Sequence, residues 1–146
     1  MVSSVLIILV SAVLLAYWFR YTCLLILNTK GAKDYSAEVA AANELFFPGV
    51  AGRLSQGEEL GSLNAMLSRD YRLLNYLLRH TTSYDAGGLT IEQRLLSLDF
   101  QLMRVWYGIT SRFAHSQARR AIEEMSQIVA NFANAMGERS AESARV

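Results

Sequence analysis

The sequence predicts an all-α protein, with an N-terminal single transmembrane helix followed by a small three- to four-helix bundle. Residues 2–19 contain no Asp, Glu, Lys, Arg or His. Farther along, apolar residues recur every three or four positions in three long stretches, the period of an amphipathic helix. No segment alternates apolar and polar residues between hairpin turns, so no strand is expected. The chain has 146 residues, 52% of them hydrophobic, which suits one domain. Its net charge of +1 supplies no global field towards nucleic acid or an acidic partner.

The opening stretch reads as a membrane span. A signal peptide needs a basic leader, a short apolar core and a small-residue cleavage site. Here no Lys or Arg precedes Val2, and Tyr17, Trp18, Phe19, Arg20 and Tyr21 are all bulky, so cleavage is not expected. A soluble core helix rarely stays apolar on every side for so long. Eighteen residues at about 1.5 Å each give roughly 27 Å, close to the hydrocarbon thickness of about 30 Å. Arg20 can lay its stem along apolar surface and carry the guanidinium to the headgroups. Tyr17, Trp18 and Tyr21 beside it are rings that prefer the membrane interface. These four residues form the expected membrane boundary. Arg20, Lys30 and Lys33 follow the span, and only the α-amino group precedes it. The positive-inside rule then places the N-terminus outside and the helical domain in the cytoplasm, with a bacterial inner (plasma) membrane as the expected site. Ala12 and Ala16 have small-xxx-small spacing, a weak association signal. The single Cys23 leaves no internal disulfide and no thiol-rich metal site. It reads as a buried small side chain, with palmitoylation as the functional alternative.

Residues 29–35 are polar and read as a linker. Residues 36–47 are rich in helix formers and stop at Pro48 and Gly49. Leu45, Phe46 and Phe47 at that end are expected to pack on the domain. Residues 48–57 have turn chemistry and read as irregular. In the next stretch Leu60, Leu63, Leu67, Tyr71, Leu74 and Leu78 step by three and four. Residues 81–88 form a Gly-containing loop. Thr90 and Gln93 then have the spacing of a capping box. From there Ile91, Leu95, Leu98, Leu102, Val105, Trp106, Ile109 and Phe113 hold one face. The last stretch carries Ala118, Ile122, Met125, Val129, Phe132 and Met136, about 140° out of phase with the stripe before it at 100° per residue. A break near residues 114–117 would let both stripes enter one core. Leu74, Leu98, Leu102 and Phe132 are therefore expected to be buried. Gly137 reads as the residue that ends the helix. The division is 1–28 transmembrane anchor, 29–35 linker, 36–137 helical bundle and 138–146 disordered tail.

Chemistry-bearing residues are sparse. His80 and His115 are the only histidines, and neither has a helical metal-site partner at i+3 or i+4. His80 at a helix end suits the dipole. Asp70 and Asp99 each fall near the centre of an apolar stripe. They read as core-edge ion pairs with Arg, or in the sharper reading as an acid/base pair. No nucleophile elbow and no phosphate loop is present. Residues 69–120 hold eight Arg against four acids. Arg69, Arg72 and Arg79 form a possible basic face for anionic lipid or RNA.

The expected function is a membrane-tethered helical interaction module, an accessory subunit or a self-associating scaffold, without catalytic activity of its own. Its expected partners are the lipid bilayer and a protein partner or second copy. Nucleic acid, metal and cofactor are not expected. One alternative is a small membrane-bound enzyme or cofactor carrier using Asp70 and Asp99 or His80 and His115. Another is an Arg-rich lipid- or nucleic-acid-binding adaptor.

Overall fold

The computed structural model describes residues 1–29, 33–80 and 89–145. Among them every regular element is a helix: α1 (Val2–Asn28), α2 (Ser36–Asn43), α3 (Phe47–Ser55), α4 (Leu60–His80), α5 (Ile91–Thr110) and α6 (His115–Arg145). The chain divides into two units, Met1–Lys30 and Gly31–Val146.

The first unit is α1. Its 27 residues are long and apolar enough to cross a membrane. None of its most apolar stretch is buried by the rest of the chain. Tyr17, Trp18 and Tyr21 are exposed, and the Tyr17 and Tyr21 rings stack at 6.4 Å. Arg20 belongs to the same turns. Residues 30–32 of the expected linker lie outside the described residues.

The second unit is organised around α6, against which α2, α3, α4 and α5 all pack. Five helices stand where three or four were expected, because residues 48–57 are not irregular. Phe47 and Pro48 open α3 instead. Proline is tolerated in a first turn, where its missing N–H is not needed. The turn after α3 falls at Gly57, whose φ of +74° suits glycine. Asp34 secures the start of α2 by accepting from the Ser36 N–H at 2.9 Å and the Ser36 hydroxyl at 2.6 Å. Those bonds hold its carboxyl below the ordinary value. The helix ends at Glu44, in the left-handed conformation.

The expected α4 stripe is its buried face, with Leu63, Leu67, Tyr71, Leu74 and Leu78 all buried. The capping box is present: the Gln93 N–H donates to the Thr90 hydroxyl at 3.2 Å, and the Thr90 N–H to Gln93 Oε1 at 3.1 Å. The loop expected at 81–88 lies outside the described residues. The chain breaks between α5 and α6 at residues 111–114, about three positions before the expected place. There the Ala114 N–H bonds the Thr110 carbonyl at 2.8 Å. Phe47 is buried, as the packing expectation for that aromatic end requires. Deeper in, Tyr71 stacks on Phe100 at 4.0 Å and on Phe132 at 5.7 Å between ring centroids. Leu74 and Phe132 are fully buried.

Two further expectations are corrected. Residues 138–145 are not a disordered tail but the last two turns of α6. Gly137 does not end the helix. It is buried, and Tyr35 and Val39 pack directly over it. Arg139, beyond it, donates to the Leu78 carbonyl at 2.8 Å and to Gln93 Oε1 at 3.1 Å. It thereby satisfies an end carbonyl of α4 and fastens the capping box of α5 to α6. Leu98 and Leu102 are also not buried, at 62% and 45% exposed. The side of α5 that meets the core carries Gln93, Leu96, Asp99, Phe100 and Met103 instead. The Arg139–Gln93 bond and the Phe100 stack both require that rotation, and one helix cannot present opposite faces to the same neighbour.

Candidate functional site

The outward side of α5 is an apolar face that the packing of the described residues leaves exposed. Six large apolar residues lie along it, Ile91, Leu98, Leu102, Val105, Trp106 and Ile109, and Phe113 follows in the turn after the helix. Their exposure runs from 44% at Trp106 to 86% at Phe113. At roughly 100 Å² of exposed surface each, they amount to about 700 Å², more than the largest apolar patch of about 300–600 Å² on a typical monomer. Local sequence explains why the face is straight and continuous. The capping box fixes the start of the helix, good helix formers fill it, and Thr110 closes it by donating to the Trp106 carbonyl at 2.7 Å. The centre of the stripe bears no charge. Arg94 and Gln101 border it on one edge and Glu92 on the other, all exposed.

Gly108 lies on the same edge as Arg94, inside the helix and exposed. A glycine there costs about 1 kcal/mol against alanine. A Cβ added at Gly108 would meet nothing within 4 Å, so the fold of this chain does not require the glycine.

Of the expected polar residues, Asp70 has a structural role. Asp70 accepts from the Phe46 N–H at 2.7 Å and the Phe47 N–H at 2.8 Å. It therefore caps the N-terminus of α3 from across the fold, where the helix dipole favours a carboxylate. Burial raises its pKa above the ordinary value, against the opposing effects of the Phe47 and Phe46 N–H groups and the Arg69 charge. A raised folded-state pKa contributes stability that is complete below the unfolded value and is lost as pH rises through the folded one. Asp70→Asn keeps an acceptor oxygen and removes the titration. It is expected to change stability at pH 7 by no more than about 1 kcal/mol and to flatten the pH dependence above pH 4. Asp70→Ala leaves the buried Phe47 N–H unsatisfied and is expected to cost about 2 kcal/mol. Thermal melts of the three proteins between pH 4 and 8 check both outcomes.

Asp99 is fully buried on the inner side of α5, not at a core edge. Arg69, Arg72 and Arg79 are exposed on α4. Arg69 lies over the Phe46 ring at 4.9 Å, Arg72 Nε donates to the Ser68 carbonyl at 3.3 Å, and Arg79 Nε donates to Asn75 Oδ1 at 3.1 Å. His80 ends α4, with its ring stacked on Tyr76 at 4.1 Å and Nδ1 2.8 Å from the Tyr76 carbonyl. His115 opens α6 and is exposed. Among the described residues no group of three or more His, Cys, Asp and Glu could hold a metal ion. A shallow groove between α3 and α6 is lined by Val50, Leu54, Ser126 and Gln127, with Arg119 and Glu123 paired to each other at 3.6 Å.

Most of the stripe that the sequence assigns to the core is thus exposed, and Leu95 alone of it is half-buried. The signal available in the sequence is that α5 carries a second apolar set, Leu96, Phe100 and Met103, opposite the first. Comparison with known proteins adds nothing to the geometry: no protein-family model, curated protein or solved structure matches the chain.

Proposed function

We infer that the chain is a membrane-tethered helical interaction module, an accessory subunit or self-associating scaffold with no catalytic activity of its own. The outward apolar face of α5 carries this reading, because a face of that size is a docking surface in search of a neighbour. In this reading α1 spans the membrane once, with Tyr17, Trp18, Arg20 and Tyr21 at its boundary. The basic residues after the span keep the helical bundle in the cytoplasm, at a bacterial inner membrane. Asp70, one of the four residues of the enzyme alternative, is already used as a helix cap.

The topology is tested by carbonate extraction and by protease protection in membrane vesicles. Release of intact protein by carbonate removes the span. Protection of the helical domain in inside-out vesicles reverses the orientation. The docking role is tested by purifying the full chain in mild detergent and weighing the particle. A stoichiometric complex, with itself or with another protein, is expected. It should be lost in Leu98→Glu while helix content stays unchanged. A lone chain that behaves identically with and without Leu98→Glu sinks the reading.

A further inference from the structure

The outward face of α5 is more than apolar. Exposed Ile91, Leu98, Leu102, Val105 and Ile109, with half-buried Leu95 between the first two, alternate steps of four and three, the seam of a two-helix coiled coil. A bilayer requires a broad apolar stripe but no such register. The stripe's area of about 700 Å² approaches the roughly 800 Å² that each partner contributes to a standard stable interface.

We propose that this seam pairs with the same seam of a second copy, antiparallel, about a twofold axis near Gln101. The proposal rests on the docking role inferred above and names its partner. An antiparallel twofold sets each edge of the seam against itself in reverse order. On one edge Arg94 then meets Gly108 of the second copy, and Gln101 meets its own equivalent. On the other edge Trp106 meets Glu92 of the second copy, within reach of a bond from the indole N–H to the carboxylate. The middle position of that second edge is Asp99, which would stand against its own equivalent but is buried in its own domain, and no exposed like charges face each other along either edge.

Arg94 also arrives at the C-terminal turn of the opposite α5, where end carbonyls and the helix dipole favour a cation. Gly108 gains a reason it lacks within one chain: it opens room for the Arg94 stem. A parallel pairing offers none of this. It sets Arg94 against the position of Asp99, which is buried in its own domain.

The test uses the full chain in mild detergent, with Cys23→Ser to remove the native thiol. Gln101→Cys is added, and the protein is oxidised under mild conditions. Rapid disulfide-linked dimer is expected at position 101, at least tenfold faster than from Glu123→Cys, an exposed control on α6. Adding Leu98→Glu should lower the position-101 rate at least tenfold with circular dichroism unchanged. Leu102→Glu serves the same purpose should the first variant fold poorly. Equal cross-linking at 101 and 123 overturns the proposal. So does cross-linking at 101 that Leu98→Glu and Leu102→Glu leave unchanged. If a different protein is bound stoichiometrically and lost in Leu98→Glu, the docking role stands and the second-copy proposal falls. If position 101 stays unlinked and Trp106 of a Trp18→Phe chain is quenched by brominated anionic lipid, the occupant is the bilayer and the proposal falls. A monomer showing neither behaviour overturns both.

Discussion

Phe132→Ala is expected to destabilise the helical domain by about 3–5 kcal/mol, the range for removing a large aromatic side chain from a closed core. Phe132 is fully buried near the middle of α6, the helix on which the other four of its unit pack. Its ring lies against Tyr71, which in turn lies against Phe100, so one stack joins α4, α5 and α6. Truncation removes the hydrophobic burial, the aromatic contact and the filling of the space between three helices together. Near-UV circular dichroism of the detergent-solubilised chain follows the loss of the stack, and its thermal midpoint reads the destabilisation. Far-UV signal is the poorer probe, because α1 in a micelle stays helical when the second unit has melted. A midpoint within a degree or two of the parent would mean that the three helices do not share this core.

Gly137→Ala is expected to destabilise by about 2–3 kcal/mol, although alanine is the better helix former by about 1 kcal/mol. The added Cβ would overlap Tyr35 Cβ and stand 2.9 Å from Tyr35 Cγ. The obstructing atom is next to the backbone and not at the tip of a flexible side chain, so the segment before α2 has to move. That segment is also pinned by the Tyr35 N–H, which donates to Asn134 Oδ1 at 2.7 Å. Steric cost therefore outweighs propensity. The double variant Tyr35→Gly with Gly137→Ala separates the causes. If the clash is the cause, the substitution at Gly137 should be neutral or favourable once Tyr35 is gone. A stabilising Gly137→Ala in the parent chain would show that the Tyr35 contact is not made in solution.

These residues also show where sequence reading succeeds and where it stops. The Thr90–Gln93 capping box, the α4 stripe and the break between α5 and α6 are local or periodic signals, and all three appear in the structure. Gly137 is different, because a glycine near the end of a helical pattern has two meanings. It can stop a helix by adopting a left-handed conformation, or let another segment approach closely, and only the position of Tyr35 distinguishes them. Pro48 is ambiguous in the same way, since a proline can end one helix or begin the next. The rotation of α5 is the most instructive case. Periodicity favours the longer stripe, but the shorter set Leu96, Phe100 and Met103 takes the core, because the aromatic stack and the Arg139–Gln93 bond anchor it. Arg139 itself could not be assigned a role from sequence, because its acceptors Leu78 and Gln93 come from distant parts of the chain. The apolar character of the candidate docking face was therefore legible in the residues, whereas its outward direction depended on contacts from α4 and α6.

The place of α6 in the chain has a consequence for synthesis. At roughly 5–20 residues per second, the ribosome makes α1 several seconds before it reaches the end of α6. The element that organises the domain thus emerges after α2, α3, α4 and α5, which wait without the surface they pack on. During that interval both apolar sides of α5 are uncovered. The domain closes only once α6 has emerged, so a nascent chain halted within α6 is a ready substrate for chaperones and proteases.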